Sequence, residues 1–252
     1  MSDDRGARCV GRGKFAVLLP MLLIPGALGA QGIRERVARV EDGKVRMTYA
    51  ARPNVCGDGE GQHWRMRQDD DWLGACEHGP AHLQVEFRAG RVVDIDVWVG
   101  GGWRPGSAAI LDLGRVETRE VVDYLLALDA EDAVVPAVIA DSVTVWPRLL
   151  VIARDDRRPE RVRRQAIFWV AQAAGDSATA GLAALSDDDP DREVRKHAVF
   201  ALSQIRSANA VDVLIRIART NRDPEIRRTA IFWLGQSRDP RAIDYFEEVL
   251  RG

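Results

Sequence analysis

The segment Val162-Arg-Arg-Gln-Ala-Ile-Phe-Trp-Val-Ala-Gln172 recurs as Val194-Arg-Lys-His-Ala-Val-Phe-Ala-Leu-Ser-Gln204 and as Ile226-Arg-Arg-Thr-Ala-Ile-Phe-Trp-Leu-Gly-Gln236, spaced by 32 residues both times. Arg, Ala, Phe and Gln keep the same offsets in every copy. A fixed period of about 20–50 residues marks an array of stacked supersecondary units. In the first copy Val162, Ala166, Trp169, Val170 and Ala173 fall at offsets 0, 4, 7, 8 and 11, the apolar stripe of an amphipathic helix. A second apolar run follows each time: Gly181-Leu-Ala-Ala-Leu185, Val213-Leu-Ile-Arg-Ile-Ala218 and Tyr245-Phe-Glu-Glu-Val-Leu250. One pair of helices cannot bury both stripes alone, so neighbouring pairs must stack.

The boundaries follow from helix-end chemistry. Pro159, Pro190 and Pro224 suit first turns, where a missing N–H costs nothing. Asp189 and Asp223 are expected to cap the second and third units by accepting from free first-turn N–H groups. The repeats are thus read as 159–186, 190–220 and 224–251. A divergent unit at 130–154 precedes them, with helices over 132–140 and 146–154 and Pro136 shortening the first.

The run Asp223-Pro-Glu-Ile-Arg-Arg-Thr-Ala-Ile-Phe-Trp-Leu-Gly235 resembles the HEAT repeat in its short bacterial, phycobilisome-lyase-like form, whose signature is Asp-Pro-x-Val-Arg-x-x-Ala-x-x-Ala-Leu-Gly. The likeness covers about residues 130–252, and with the N-terminus described below the chain is similar to secreted bacterial HEAT-repeat proteins. The resemblance implies an α-solenoid in which Arg163, Arg195 and Arg227 pair with Asp residues of adjacent turns. It also implies that the second helix of each unit lines the concave side. Arg148, Arg154, Arg216, Arg219 and Thr220 are then the candidates for partner contact. Hydroxylases on this fold use His-Glu pairs for di-iron, and no such pair occurs; His197 shares its column with Gln165 and Thr229. Phycobilin lyases share the fold, but an exported chain would not meet their substrate.

Arg5, Arg8, Arg12 and Lys14 precede the apolar run Phe15-Ala-Val-Leu-Leu-Pro-Met-Leu-Leu-Ile24, and Gly26-Ala-Leu-Gly-Ala30 follows. This is the pattern of a secretory signal peptide, residues 1–30, with cleavage expected after Gly29 or Ala30. The run is too short for a spanning helix, which needs about 20 apolar residues; a retained anchor is the alternative. The expected location is periplasmic or extracellular. Cleavage removes Cys9 and leaves Cys56 and Cys76. An oxidising compartment favours a disulfide between them. Zinc held among Cys56, His63, Cys76, His78 and His82 is a second possibility, although paired CxxC or HxxxH spacing is absent; two free thiols are a third.

Residues 33–115 change period. The segments 44–50, 82–88 and 92–99 alternate apolar and polar residues, the sign of half-buried strands. Ala89-Gly90 suggests a hairpin between the last two. The expectation is a small antiparallel, β-rich domain over 33–115, then a HEAT-type α-solenoid over 116–252 whose first helix begins at Thr118 and packs where sheet meets solenoid. Gly100-Gly-Gly-Trp-Arg-Pro-Gly106 fits neither phosphate-binding glycine pattern and reads as a hairpin tip or linker. Trp64, Trp72 and Trp103 are either contact residues or core.

Formal charge is −2. Removing the four basic and two acidic residues of the leader takes it to about −4, which argues against general nucleic-acid affinity. A ridge of stacked arginines would be the exception, but interleaved acids cancel most of it. Ser203 and Ser207 lack a nearby His-Asp set, and Asp187-Asp-Asp189 is explained by an acidic helix start. No cofactor is expected. The sequence points to a mainly α, non-enzymatic interaction or scaffold module of the cell envelope with a protein partner. The alternative is an enzyme or metal-binding protein with its site in the 56–82 region, or a lyase- or hydroxylase-like HEAT enzyme.

Overall fold

The computed structural model describes residues 32–57, 64–66, 76–103 and 110–251. The leader, His63 and Trp72 lie outside the described residues, as does the side chain of Trp64. The described chain begins with a short helix, α1 (Ile33–Val37), that the sequence reading did not anticipate. Ile33 and Val37 are both buried and sit one helical turn apart, a single turn being too short to register as a period.

The strands follow: β1 (Gly43–Ala50), β2 (Val55–Gly57), β3 (Trp64–Met66), β4 (Pro80–Arg88), β5 (Arg91–Val99) and β6 (Ile110–Arg115). β5, β4, β1 and β6 form one sheet in that order, and β2 pairs with β3. The β4–β5 hairpin turns at Ala89 and Gly90, both at positive φ, a geometry whose twist matches the flanking strands. The sheet is not wholly antiparallel as expected, because β6 runs parallel to β1. Val45, Met47 and Tyr49 of β1 and Ala81, Leu83, Val85 and Phe87 of β4 are the inward residues.

Helix α2 (Thr118–Leu125) returns the chain to the sheet, so it is the second helix of the described residues. The divergent unit comprises a 3₁₀ turn (Glu131–Ala133), α3 (Val134–Val138), which contains Pro136, and α4 (Trp146–Arg154). The sheet docks directly on it. The buried Tyr49 hydroxyl donates to the Pro136 carbonyl at 2.7 Å, and Arg52 donates to the carbonyls of Ala140 and Val143. A single apolar core therefore runs from α1 through the sheet into the last helix.

The repeats are α5 (Glu160–Ala174) with α6 (Thr179–Asp188), α7 (Arg192–Gln204) with α8 (Ala208–Thr220), and α9 (Pro224–Gln236) with α10 (Pro240–Arg251). Ala166, Ala198 and Ala230 are fully buried, as are Val162, Val194 and Ile226. Asp223 caps α9 as expected, but α7 is capped by Asp191, which accepts from the N–H groups of Glu193 and Val194. Asp189 lies two residues too early; it accepts from the Asp191 N–H and turns its other oxygen to Arg163.

Candidate interaction surface

Two faces of the array carry side chains beyond what packing needs. The first is made by α5, α7 and α9. The repeat places Phe168, Phe200 and Phe232 in one column, each followed in the chain by Trp169, Ala201 or Trp233. These rings touch. Phe168 meets Trp169 edge-on with centroids 5.3 Å apart, and Phe232 meets Trp233 at 5.0 Å. Phe200 lies 5.0 Å from Trp233 of the next unit and 5.4 Å from the His197 imidazole. Phe168 and Phe200 are half-buried, and Phe232 is 57 % exposed. Large aromatics of this kind concentrate at protein interfaces. Arg164, Lys196 and Arg228 flank the column and pair with Glu160, Glu193 and Glu225 of their own helices. Burial and the nearby Arg164 charge push the His197 pKa down.

The second face is made by the later helix of each pair, and it holds most of the contact residues expected from sequence. Arg148 of α4 pairs with Asp123 of α2 at 2.6 Å. Arg216 of α8 pairs with Asp187 of α6 at 3.0 Å, and Arg219 pairs with Glu248 of α10 at 2.5 Å while its guanidinium lies over the Tyr245 ring. The Thr220 hydroxyl donates to the carbonyl of Arg216 one turn back, and Arg154 is exposed at the end of α4. Arg148, Arg216 and Arg219 thus lace one helix to another across the face.

Arg163 and Arg195 behave as the repeat resemblance implied. Arg163 pairs with Asp189 inside the array, and Arg195 pairs with Asp223 at 2.9 Å. Arg227 departs from it. It donates to the carbonyls of Asn221 and Arg222, and it forms no ion pair with a carboxylate of the described residues.

Around the sheet, Cys56 on β2 and Cys76 before β4 lie at disulfide distance, with Cα atoms 5.5 Å apart. Gly57 and Glu77 exchange backbone hydrogen bonds beside them. Among the described residues no group of three or more His, Cys, Asp or Glu side chains is placed to hold a metal ion. His82 is buried instead in an aromatic pile, stacked on Trp98 with centroids 5.4 Å apart and edge-on to Trp103 at 4.9 Å. Burial pushes its pKa down. Trp103 also lies under the Arg46 guanidinium, so this tryptophan lies across side chains of β1, β4 and β5 on one face of the sheet. A cavity of about 620 Å³ opens at the junction of α1, the hairpin and α2, lined by Arg34, Val37, Tyr124 and Asp129 among others. A groove of about 860 Å³ lies between the α7–α8 and α9–α10 turns. No helix of the described residues is long and apolar enough to cross a membrane.

A family model described as HEAT repeats matches residues 147–221 and 178–252. The matched stretches run from α4 to the end of the chain and together span the three repeats identified by their period. No curated protein matches the chain.

Proposed function

We propose that this protein is a non-enzymatic interaction module of the cell envelope, binding another protein along its helical repeats. HEAT repeats commonly serve protein interaction or scaffolding, and stacked helix pairs offer long surfaces for it. The observation that carries the reading is the Phe168–Phe200–Phe232 column. A core-forming phenylalanine needs no place on the outer side of its helix. Here the same ring recurs at the same semi-exposed position in every unit, beside paired charges that keep the surface wettable. That combination suits an interface with an aromatic centre and a polar rim.

The cations on the other face, Arg148, Arg154, Arg216 and Arg219, with Thr220, form a secondary contact zone in this proposal. Exposed ion pairs are worth about 0–1 kcal/mol, so Arg216 and Arg219 can exchange their present acids for a partner's at little cost. Export is part of the same proposal. It is supported by the basic and apolar leader, and by Cys56 and Cys76 standing at disulfide distance, an arrangement that persists in oxidising compartments. Mass spectrometry of exported material should find a chain beginning at Ala30 or Gln31, and an intact Met1 in the cytoplasmic fraction would contradict export.

The binding reading is tested by capture from envelope extract on immobilised protein. The Phe168→Ser/Phe200→Ser variant should lose the captured partner while keeping the helical circular dichroism signal. Arg216→Glu/Arg219→Glu should weaken capture. Undiminished capture by both variants would overturn the proposal.

A further inference from the structure

The cleft of about 620 Å³ between α1, the β4–β5 hairpin and the end of α2 combines apolar walls with polar groups that have nothing to bind. Val37 of α1 and Phe87 of β4 are buried in its walls, and Val92 and Leu128 are half-buried against the same core. Its size falls within the range of about 300–1,000 Å³ usual for small-molecule sites.

Arg34 of α1 and Arg91 of β5 also line the cleft, and both are exposed. Neither guanidinium has a hydrogen bond or an ion pair among the described residues. Other arginines of the sheet are committed: Arg46 pairs with Asp112 and Arg88 with Glu86. Asp129, the one acid among the described lining residues, is held by Arg158 at 3.0 Å. The third polar group is Tyr124 of α2, only 5 % exposed. Its hydroxyl has no hydrogen-bond partner among the described residues, whereas the buried Tyr49 hydroxyl is satisfied by the Pro136 carbonyl. A buried polar group left unpaired is costly and calls for an explanation. Burial pushes the Tyr124 pKa up to about 12, with the Arg34 charge opposing the rise. The phenol therefore stays protonated, a neutral donor within reach of the Arg34 field.

Two cations and one neutral donor thus line an apolar cleft that supplies no anion to receive them. A carboxylate accepts from a phenol and from the planar fork of a guanidinium, and an apolar chain behind it covers the walls. We infer that this cleft is a ligand site for a small amphipathic carboxylate of the fatty-acid kind. Arg34, Arg91 and Tyr124 take its head, and Val37, Phe87, Val92 and Leu128 take its chain. The site shares no residue with the Phe168–Phe200–Phe232 column and stands independently of the partner proposed for that column.

Titration calorimetry with dodecanoate, kept below its micellar concentration, tests the inference. The expected result is saturation at one molecule per chain, with acetate and dodecanol each failing to saturate the site. Arg34→Gln/Arg91→Gln should weaken dodecanoate by about tenfold or more, the factor that a hydrogen bond to a charged group supplies. Both arginines are exposed, so the circular dichroism signal should be unchanged. Tyr124→Phe gives a second arm. It should weaken dodecanoate several-fold while the melting temperature of the empty protein stays level or rises, because the change removes an unpaired hydroxyl. The inference is overturned by a lack of saturable dodecanoate binding, by dodecanol binding as tightly, by tighter binding of dodecyl phosphate, or by an affinity that these substitutions leave untouched.

Discussion

Arg163 of α5 and Asp189, in the turn after α6, form an ion pair inside the helical array, each side chain only 3 % exposed. Arg163 also donates to the Ala153 carbonyl of α4, so one guanidinium ties three successive helices. Removing a single partner of such a pair leaves a buried charge uncompensated, at a cost of about 3–5 kcal/mol. Asp189→Ala should therefore lower the urea midpoint sharply. The paired replacement Arg163→Met/Asp189→Leu should recover most of the loss. Equal damage from the single and double changes would mean that the turn, and not the charge, was the casualty.

Ala198 stands fully buried in a column of alanines where α7 meets its neighbours. Leucine there has to displace packed atoms, which costs about 1–3 kcal/mol. Thermal melting of Ala198→Leu should show a clear drop, with Gln204→Ala, an exposed change on the same helix, as the control. An unchanged melting temperature would place the column on the wrong side of the helix.

Asp223 gives the array a dependence on acid. The backbone N–H of Glu225, followed by the guanidinium groups of Arg195 and Arg192, holds its carboxyl down at about 2, against an ordinary 3.8. A carboxyl depressed on folding contributes stability that is full above the unfolded value and is lost as pH falls through the folded one. The melting-temperature difference between wild type and Asp223→Ala should be constant above about pH 5 and narrow between about pH 4 and 2. A difference that stays constant to pH 2 would show that capping by the neutral acid, not the charge, matters there.

Cys56 and Cys76 are separated by 20 residues, and chain entropy alone gives a bridge of that loop length about 3 kcal/mol. Denatured, unreduced protein should titrate close to zero free thiols, and reduction should lower the melting temperature. Two titratable thiols in exported protein would refute the bridge.

The array was legible in the sequence because stacking repeats the same demand every 32 residues, so each column of Ala, Phe or Arg reports one environment several times. β1, β4 and β5 were legible from alternation. β6 was not: Ile110-Leu-Asp-Leu-Gly-Arg115 has little alternation, Gly114 takes a positive φ, and its parallel pairing with β1 spans a long stretch of chain. The cap of α7 was misplaced because Asp189-Pro190 imitates Asp223-Pro224, while the true counterpart of Asp223 one period earlier is Asp191. The exposure of the α9–α10 face was not legible: Ile231 reads like Ile167 in sequence, yet Ile167 is fully buried and Ile231 is 38 % exposed. His82 looked like a metal ligand by type and neighbourhood; the fold spends it as an aromatic ring between Trp98 and Trp103.

The central claim is that the helical repeats, through the aromatic column, are where a partner binds. The most direct measurement is photo-crosslinking in envelope preparations, with a crosslinking side chain installed singly at position 168, 200 or 82. The account predicts adducts to one protein partner from positions 168 and 200 and none from position 82. Adducts confined to position 82, on the sheet side, or none from either repeat position, would contradict it.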